Sequence, residues 1–269
     1  MAVGLEHAPP AIWLAVACVA LLPATTLTSA LALGVWLRRF GPSAICWTTG
    51  WFGVPVHEGS HWLMCKLLGR KVVAVRWFEP DLQAGTLGRV DWVAGTGPVA
   101  WLTAAAVGLA PLAGGVLALH GLAQLAGYDG LSRAAHALQG LQSPQELAEV
   151  AQGLAGSVAA KGAQACHGPL TTMAALVAWL WTSACVATHL SPSRADLAMA
   201  WRGVVLVAGG AVLVDWGLQA VGVSVHEPLL SGVATVAAWT LPALALALAS
   251  LAGLGLVGWW LALLLPSRR

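Results

Sequence analysis

Long apolar runs dominate the chain, and its polar residues collect in a few short stretches between them. No charged residue interrupts Ala11 to Leu37, which ends at Arg38 and Arg39 and is followed by Gly41-Pro42-Ser43, a turn signal. The same pattern predicts a second helix over about Ala44 to Leu68 and a third over Gly97 to Leu125. Further helices are expected over Pro169 to Leu190, Trp201 to Val223 and Leu230 to Leu265. Each of the six is of bilayer length or more, and the internal prolines Pro23, Pro111 and Pro242 are tolerable where neighbouring helices satisfy the freed backbone groups.

Two connections have patterns of their own. Arg70 to Trp92 is too polar to span, with Lys71, Arg76, Glu79, Asp81, Arg89 and Asp91. Val72 to Phe78 is rich in strand formers, Pro80 and Gly85 punctuate, and Gly88 to Trp92 reads as a second short strand. This stretch is either a small hairpin at the membrane face or a connecting loop with some strand character. The longest connection, Tyr128 to His167, contains Ser143-Pro144-Gln145-Glu146, a capping box with proline at the first helical position. The helix it opens carries Leu147, Val150, Ala151, Leu154 and Val158 along one face, as an amphipathic helix lying on the membrane or capping the bundle would.

Composition changes the picture by fixing the solvent. With 58% hydrophobic and 9% charged residues and a mean hydropathy of +0.78, the chain carries more apolar surface than a soluble core of this size can hide. The fold class is therefore an all-α integral membrane protein: one polytopic domain over 1–269 with about six transmembrane helices, a small β-hairpin-like cytoplasmic loop and an amphipathic helix in the longest loop. A formal net charge of +2 and the lack of a long basic run exclude nucleic acid as a partner, leaving the lipid bilayer as the main one. Trp13, Trp36, Trp92, Trp201, Trp259 and Trp260 fall near predicted span ends, where amphipathic rings sit well. Cys18, Cys46, Cys65 and Cys185 lie in apolar helices and the five cysteines form no C-x-x-C pair, so no disulfide framework is expected. The first ten residues carry Glu6 in place of a basic leader, so the first span is expected to be retained.

Six spans divide the cations unevenly. One side would hold Lys66, Arg70, Lys71, Arg76, Arg89, Arg194, Arg202, Arg268 and Arg269, the other only Arg38, Arg39, Arg133 and Lys161. By the positive-inside rule the first side is cytoplasmic, together with both termini of a multi-pass cell-membrane protein.

The candidate chemistry lies in the second helix. His57, Glu58 and His61 form H-E-x-x-H within an apolar segment. Residues four apart share a helix face, so both imidazoles can reach one metal ion while Glu58 stands beside it as a base. Ionisable groups inside a membrane span are expensive, and they mark a functional site by default. A catalytic zinc takes three protein ligands and leaves a position open, so a third ligand is required from elsewhere. Asp196, His189 and Asp215 are the candidates, in that order; Ser191 and Pro192 would start the helix that carries Asp196. Asp215 could also pair with Arg202, and Cys65 lies one turn too far along the His57 helix to share the ion.

With His57-Glu58-Gly59-Ser60-His61, Ala94-Gly95-Thr96-Gly97-Pro98 and Pro192 ahead of Asp196, the stretch from Pro55 to Asp196 resembles the site-2 protease family of intramembrane zinc metallopeptidases. The resemblance implies that His57 and His61 bind Zn2+, that Glu58 is the catalytic base, and that Asp196 is the third metal ligand. The family's G-P-x-x-N motif has Trp101 in place of its Asn here, and Asp196 lies in Ala195-Asp196-Leu197 rather than L-D-G. The implied activity is zinc-dependent hydrolysis of peptide bonds in membrane protein substrates near the cytoplasmic face. The alternative is a non-proteolytic metal-binding membrane protein, a transporter or pseudoenzyme, and a third reading is a structural subunit whose polar trio only pairs internally.

Overall fold

The computed structural model describes residues 10–83, 86–220 and 226–264. The segment with Glu6, Gly85, and Arg268 with Arg269 lie outside them, as do the side chains of Trp13, Cys18 and Asp215.

The first apolar run forms α1 (Pro10–Phe40). The second expected helix comes in three pieces: α2 (Pro42–Ile45), a π-helical turn (Cys46–Gly50), and α3 (Trp51–Leu67), which carries the H-E-x-x-H residues. Two strands follow, β1 (Val72–Arg76) and β2 (Arg89–Trp92), paired antiparallel with Val75 opposite Val90 and Arg76 opposite Arg89. Then come α4 (Pro98–Leu125), α5 (Gly130–Gln139), α6 (Pro144–His167), α7 (Leu170–Thr188), α8 (Arg194–Ala220) and α9 (His226–Leu264).

Four helices are long and apolar enough to cross a membrane: Pro98–Leu125, Leu170–Thr188, Arg194–Leu218 and Leu230–Leu261. The chain is thus a helical membrane protein with four such helices among the described residues, against the six expected. The two missing from the count are α1, many of whose side chains lie outside the description, and α3, which at 17 residues is shorter than those four.

The main core is built where α4, α7 and α9 meet, around Leu119, Val186, Leu190, Leu244 and Leu251, all almost fully buried. Along the pair α1 and α9, the Trp36 indole N–H donates to the Leu254 carbonyl at 3.1 Å, and Gly258 leaves room for the ring. Trp36 is therefore a buried helix-packing residue and not an interfacial anchor, because its one donor is satisfied inside the protein.

On α6, Leu147 and Val150 pack on Leu138, Leu141 and Leu241, while Leu154 and Val158 reach the main core, so this helix caps the bundle. The expected box does not form at its start, since Ser143 makes no side-chain bond to a backbone N–H. The Ser143 hydroxyl donates to Glu146 Oε1 at 2.9 Å, and Glu146 Oε2 accepts from the Gln142 N–H at 3.1 Å. His120 bonds the Trp239 carbonyl through Nε2 at 2.9 Å.

Two close approaches to α4 place the site. A side chain at Gly108 would run into Asp196 and Ala200, and one at Gly203 would run into the Trp101 carbonyl and Ala105. Position 108 thus meets 196–200 while 101–105 meets 203, so α8 runs antiparallel to α4 and brings its first turn to the tenth and eleventh residues of α4. By helix rise that is roughly 15 Å from the α4 N-terminus.

Candidate metal centre

On α3 the 3.6-residue repeat does what the spacing requires. The His57 and His61 rings lie one turn apart with centroids 5.0 Å apart and planes at 76°. Each ring is fixed from behind by a backbone carbonyl. His57 Nδ1 bonds the His189 carbonyl at 2.7 Å, and His61 Nδ1 bonds the Val107 carbonyl at 2.8 Å. A carbonyl oxygen only accepts, so the proton of each neutral ring sits on Nδ1 and both Nε2 atoms turn lone pairs forward.

Those lone pairs converge. The two Nε2 atoms are 3.3 Å apart, Asp196 Oδ1 is 3.2 Å from His61 Nε2, and Asp196 Oδ2 is 3.6 Å from His57 Nε2. One ligand atom from each of the three residues falls within 4.8 Å of the others, a spacing that could hold one metal ion. Three acceptors facing one another without a donor repel unless a cation or an added proton lies between them. Orienting carbonyls behind both histidines are also what metal-ligating imidazoles normally have. The donor set therefore fits a bound divalent metal.

Asp196 is placed by a cap. The Ser193 N–H donates to Asp196 Oδ2 at 2.7 Å, and the Asp196 N–H donates to Ser193 Oγ at 3.1 Å, a reciprocal capping box that starts α8 at Arg194. This corrects the sequence reading, which put the cap at Ser191. Proline two residues before Arg194 suits the turn leading in, and the Ser191 hydroxyl instead meets Thr26 Oγ1 of α1 at 2.9 Å.

The other third-ligand candidates stand apart from this group. His189 contributes its carbonyl to His57, while its Nε2 is buried without a hydrogen-bond partner. Cys65 is buried one turn beyond His61 and is outside the group, and Asp215 lies in α8 with its side chain outside the description.

Glu58 is buried next to the cluster and accepts no hydrogen bond from a described residue. It lines a cavity of about 560 Å³ shared with His57, His61, His189, Asp196, Gly88 and the strand residues Arg89–Trp92. Gly88 covers it closely: a Cβ there would lie 2.8 Å from Glu58 Cγ and 2.7 Å from Val54 Cγ1. Gly53 is equally tight on the other side, where a Cβ would collide with the Cys185 carbonyl and the His189 ring. The small residues before the motif thus serve close approach: Gly53 admits the end of α7, and Gly50 faces Phe78 and Leu87.

Several of these roles escaped the sequence reading. The carbonyls of Val107 and His189 carry no side-chain signal at all. Ser193 did have one, the S-x-x-D spacing to Asp196. Trp101, at the position of the family's Asn, is 39% exposed and does not line the cavity. No family model, no curated protein and no solved structure matches the chain, so its chemistry rests on the geometry of this centre.

Proposed function

We propose that the protein is a membrane-embedded zinc metalloprotease that hydrolyses peptide bonds of membrane protein substrates, related to the site-2 protease family. The observation that supports this most is the convergence of three acceptor-only groups with an unbonded carboxylate, Glu58, in one cavity. His57, His61 and Asp196 would hold the ion, and the carbonyls of His189 and Val107 keep both rings in the binding tautomer. Bound there, zinc supplies Lewis acidity towards a peptide carbonyl and towards water. Glu58 takes the proton released by the attacking water and passes it to the leaving amine.

The substrate is held as an extended segment. Residues Gly88–Trp92 line the same cavity, and β2 pairs only with β1 among the described strands, leaving one edge to accept a peptide by strand addition. Unwinding of the substrate follows from the chemistry, since a peptide bond inside an intact helix is shielded from attack. We place the cavity mouth and the α4 N-terminus towards the cytoplasm, with α1 and α3 as the fifth and sixth spans, on the bias of Lys66, Arg70, Lys71, Arg76 and Arg89 towards that end.

Zinc content and peptide cleavage measured on the same detergent-solubilised preparations test the reading. About one zinc per chain is expected, lost in His61→Ala and in Asp196→Ala, while Glu58→Gln keeps the metal and loses cleavage of a reconstituted substrate library. Retained metal and retained cleavage in Glu58→Gln would sink the proteolytic role. Metal binding without cleavage in the parent would move the protein to the non-proteolytic alternative.

A further inference from the structure

Three elements around the metal centre run the same way. Arg70, just past α3, donates to Thr103 at 2.6 Å, His61 bonds the Val107 carbonyl, and Ser60 packs on Gly114, so α3 is antiparallel to α4. Helix α8 is antiparallel to α4 as well, and α3 and α8 therefore share one direction. Strand β2 joins them. Gly88, just ahead of it, lies against Val54 and Glu58, whereas Val93, just past it, donates its N–H to the Lys71 carbonyl beyond the end of α3 at 3.0 Å.

A peptide added to the free edge of β2 would run along this same axis and across the metal ligands. Positions 88–92 cover about 13 Å at strand rise, a length of about four extended residues. The two ends of that run differ. At one end Val54 stands one turn before Glu58 on α3, and a Cβ at Gly88 would lie only 2.7 Å from Val54 Cγ1. Little space remains there for a side chain. At the other end Met199 stands one turn after Asp196, on an edge of α8 beside the face that meets α4 through Asp196, Ala200 and Gly203. Met199 and Trp92 both line the cavity and both are only partly buried. An unbranched thioether shifts easily to admit an apolar group, and an indole offers it a broad apolar surface.

We propose that these ends are two unequal substrate subsites. Val54 with Gly88 takes a small side chain, glycine, alanine or serine, on one side of the scissile bond, and Met199 with Trp92 takes a long apolar one, of leucine size, on the other. Successive side chains of an extended peptide point to opposite faces, and the two subsites come from different helices. The inference rests on the proteolytic reading, since it names the peptides that this centre would cut.

Phosphinic pseudotetrapeptides test it without turnover, because the phosphinate stands in place of the scissile bond and is not hydrolysed. Their Kd values are measured by titration calorimetry on zinc-loaded protein in detergent, with alanine or leucine on each side of the phosphinate. Of the orders Ala-Leu and Leu-Ala, which have the same composition, one should bind about tenfold tighter than the other. The favoured order should also bind about tenfold tighter than Ala-Ala and than Leu-Leu. Met199→Ala should shrink the advantage over Ala-Ala by about threefold, and Val54→Ala should remove the penalty on Leu-Leu, each with its zinc content unchanged. Equal affinity of the two orders in the parent, absence of binding, or an unchanged pattern in Met199→Ala would overturn the subsites, even if the parent cleaves protein substrates. The expected order preference without cleavage of the matching peptides would uphold the subsites and count against proteolysis alone.

Discussion

Replacing Ser193 by alanine separates two ways of building the end of α8. Ser193 Oγ accepts from the Asp196 N–H at 3.1 Å, and the carboxylate answers on the Ser193 N–H at 2.7 Å. Losing a serine cap costs about 1 kcal/mol, close to a fivefold change in the equilibrium of the first turn. Here the same turn aims Asp196 at His57 and His61, so zinc affinity should fall as it does on losing a group that orients a ligand, about 10- to 100-fold. Ser191→Ala removes only the contact with Thr26 Oγ1 and should leave zinc affinity within about twofold of the parent. Competition against a chromophoric chelator in detergent gives the zinc Kd for both variants, and tryptophan fluorescence against temperature checks that each stays folded. Unchanged affinity in Ser193→Ala, or an equal loss in Ser191→Ala, would refute this account of how the third ligand is held.

Three further substitutions probe the walls of the site. His189→Ala leaves the carbonyl that orients His57 in place, so about one zinc per chain should remain by elemental analysis; its loss would make the imidazole a ligand. Gly88→Ala forces a methyl to within 2.8 Å of Glu58 Cγ, and a base displaced by about 1 Å should slow cleavage roughly 100-fold while zinc content stays the same. Gly53→Ala drives α3 away from the Cys185 carbonyl and the His189 ring, and should cost about 1–3 kcal/mol, seen as a lower thermal midpoint.

What could be read ahead of the structure was local. His57 and His61 meet because a four-residue spacing on a helix fixes their relation whatever surrounds them. The long apolar runs likewise reveal most of the helices, since each needs only its own composition. Asp196 was harder: its convergence on the histidines depends on Gly108 allowing α8 onto α4, a relation between segments far apart in the chain. The cap was misplaced because Pro192 drew attention to Ser191, although Ser193 and Asp196 already had the spacing of a capping box. Trp36 looked like an interfacial ring because its burial is decided by Gly258, more than two hundred residues away. The carbonyls behind the histidines could not be read at all, since every residue has one.

The π-helical turn at Cys46–Gly50 ties the whole centre to a matter of chain length. A π turn is an α-helix carrying one residue too many, and regular helix advances about 100° per residue. Losing a single residue from this turn would let the helix run on regularly with the His57 and His61 face near its present direction, whereas losing one from the regular turn of α3 ahead of His57 would swing that face about a quarter-turn away from Asp196. The chain can exchange many apolar side chains in this helix for others of similar size. Beyond that turn it has no such freedom in counting them, so insertions and deletions between Trp51 and His57 are the changes this fold should tolerate least.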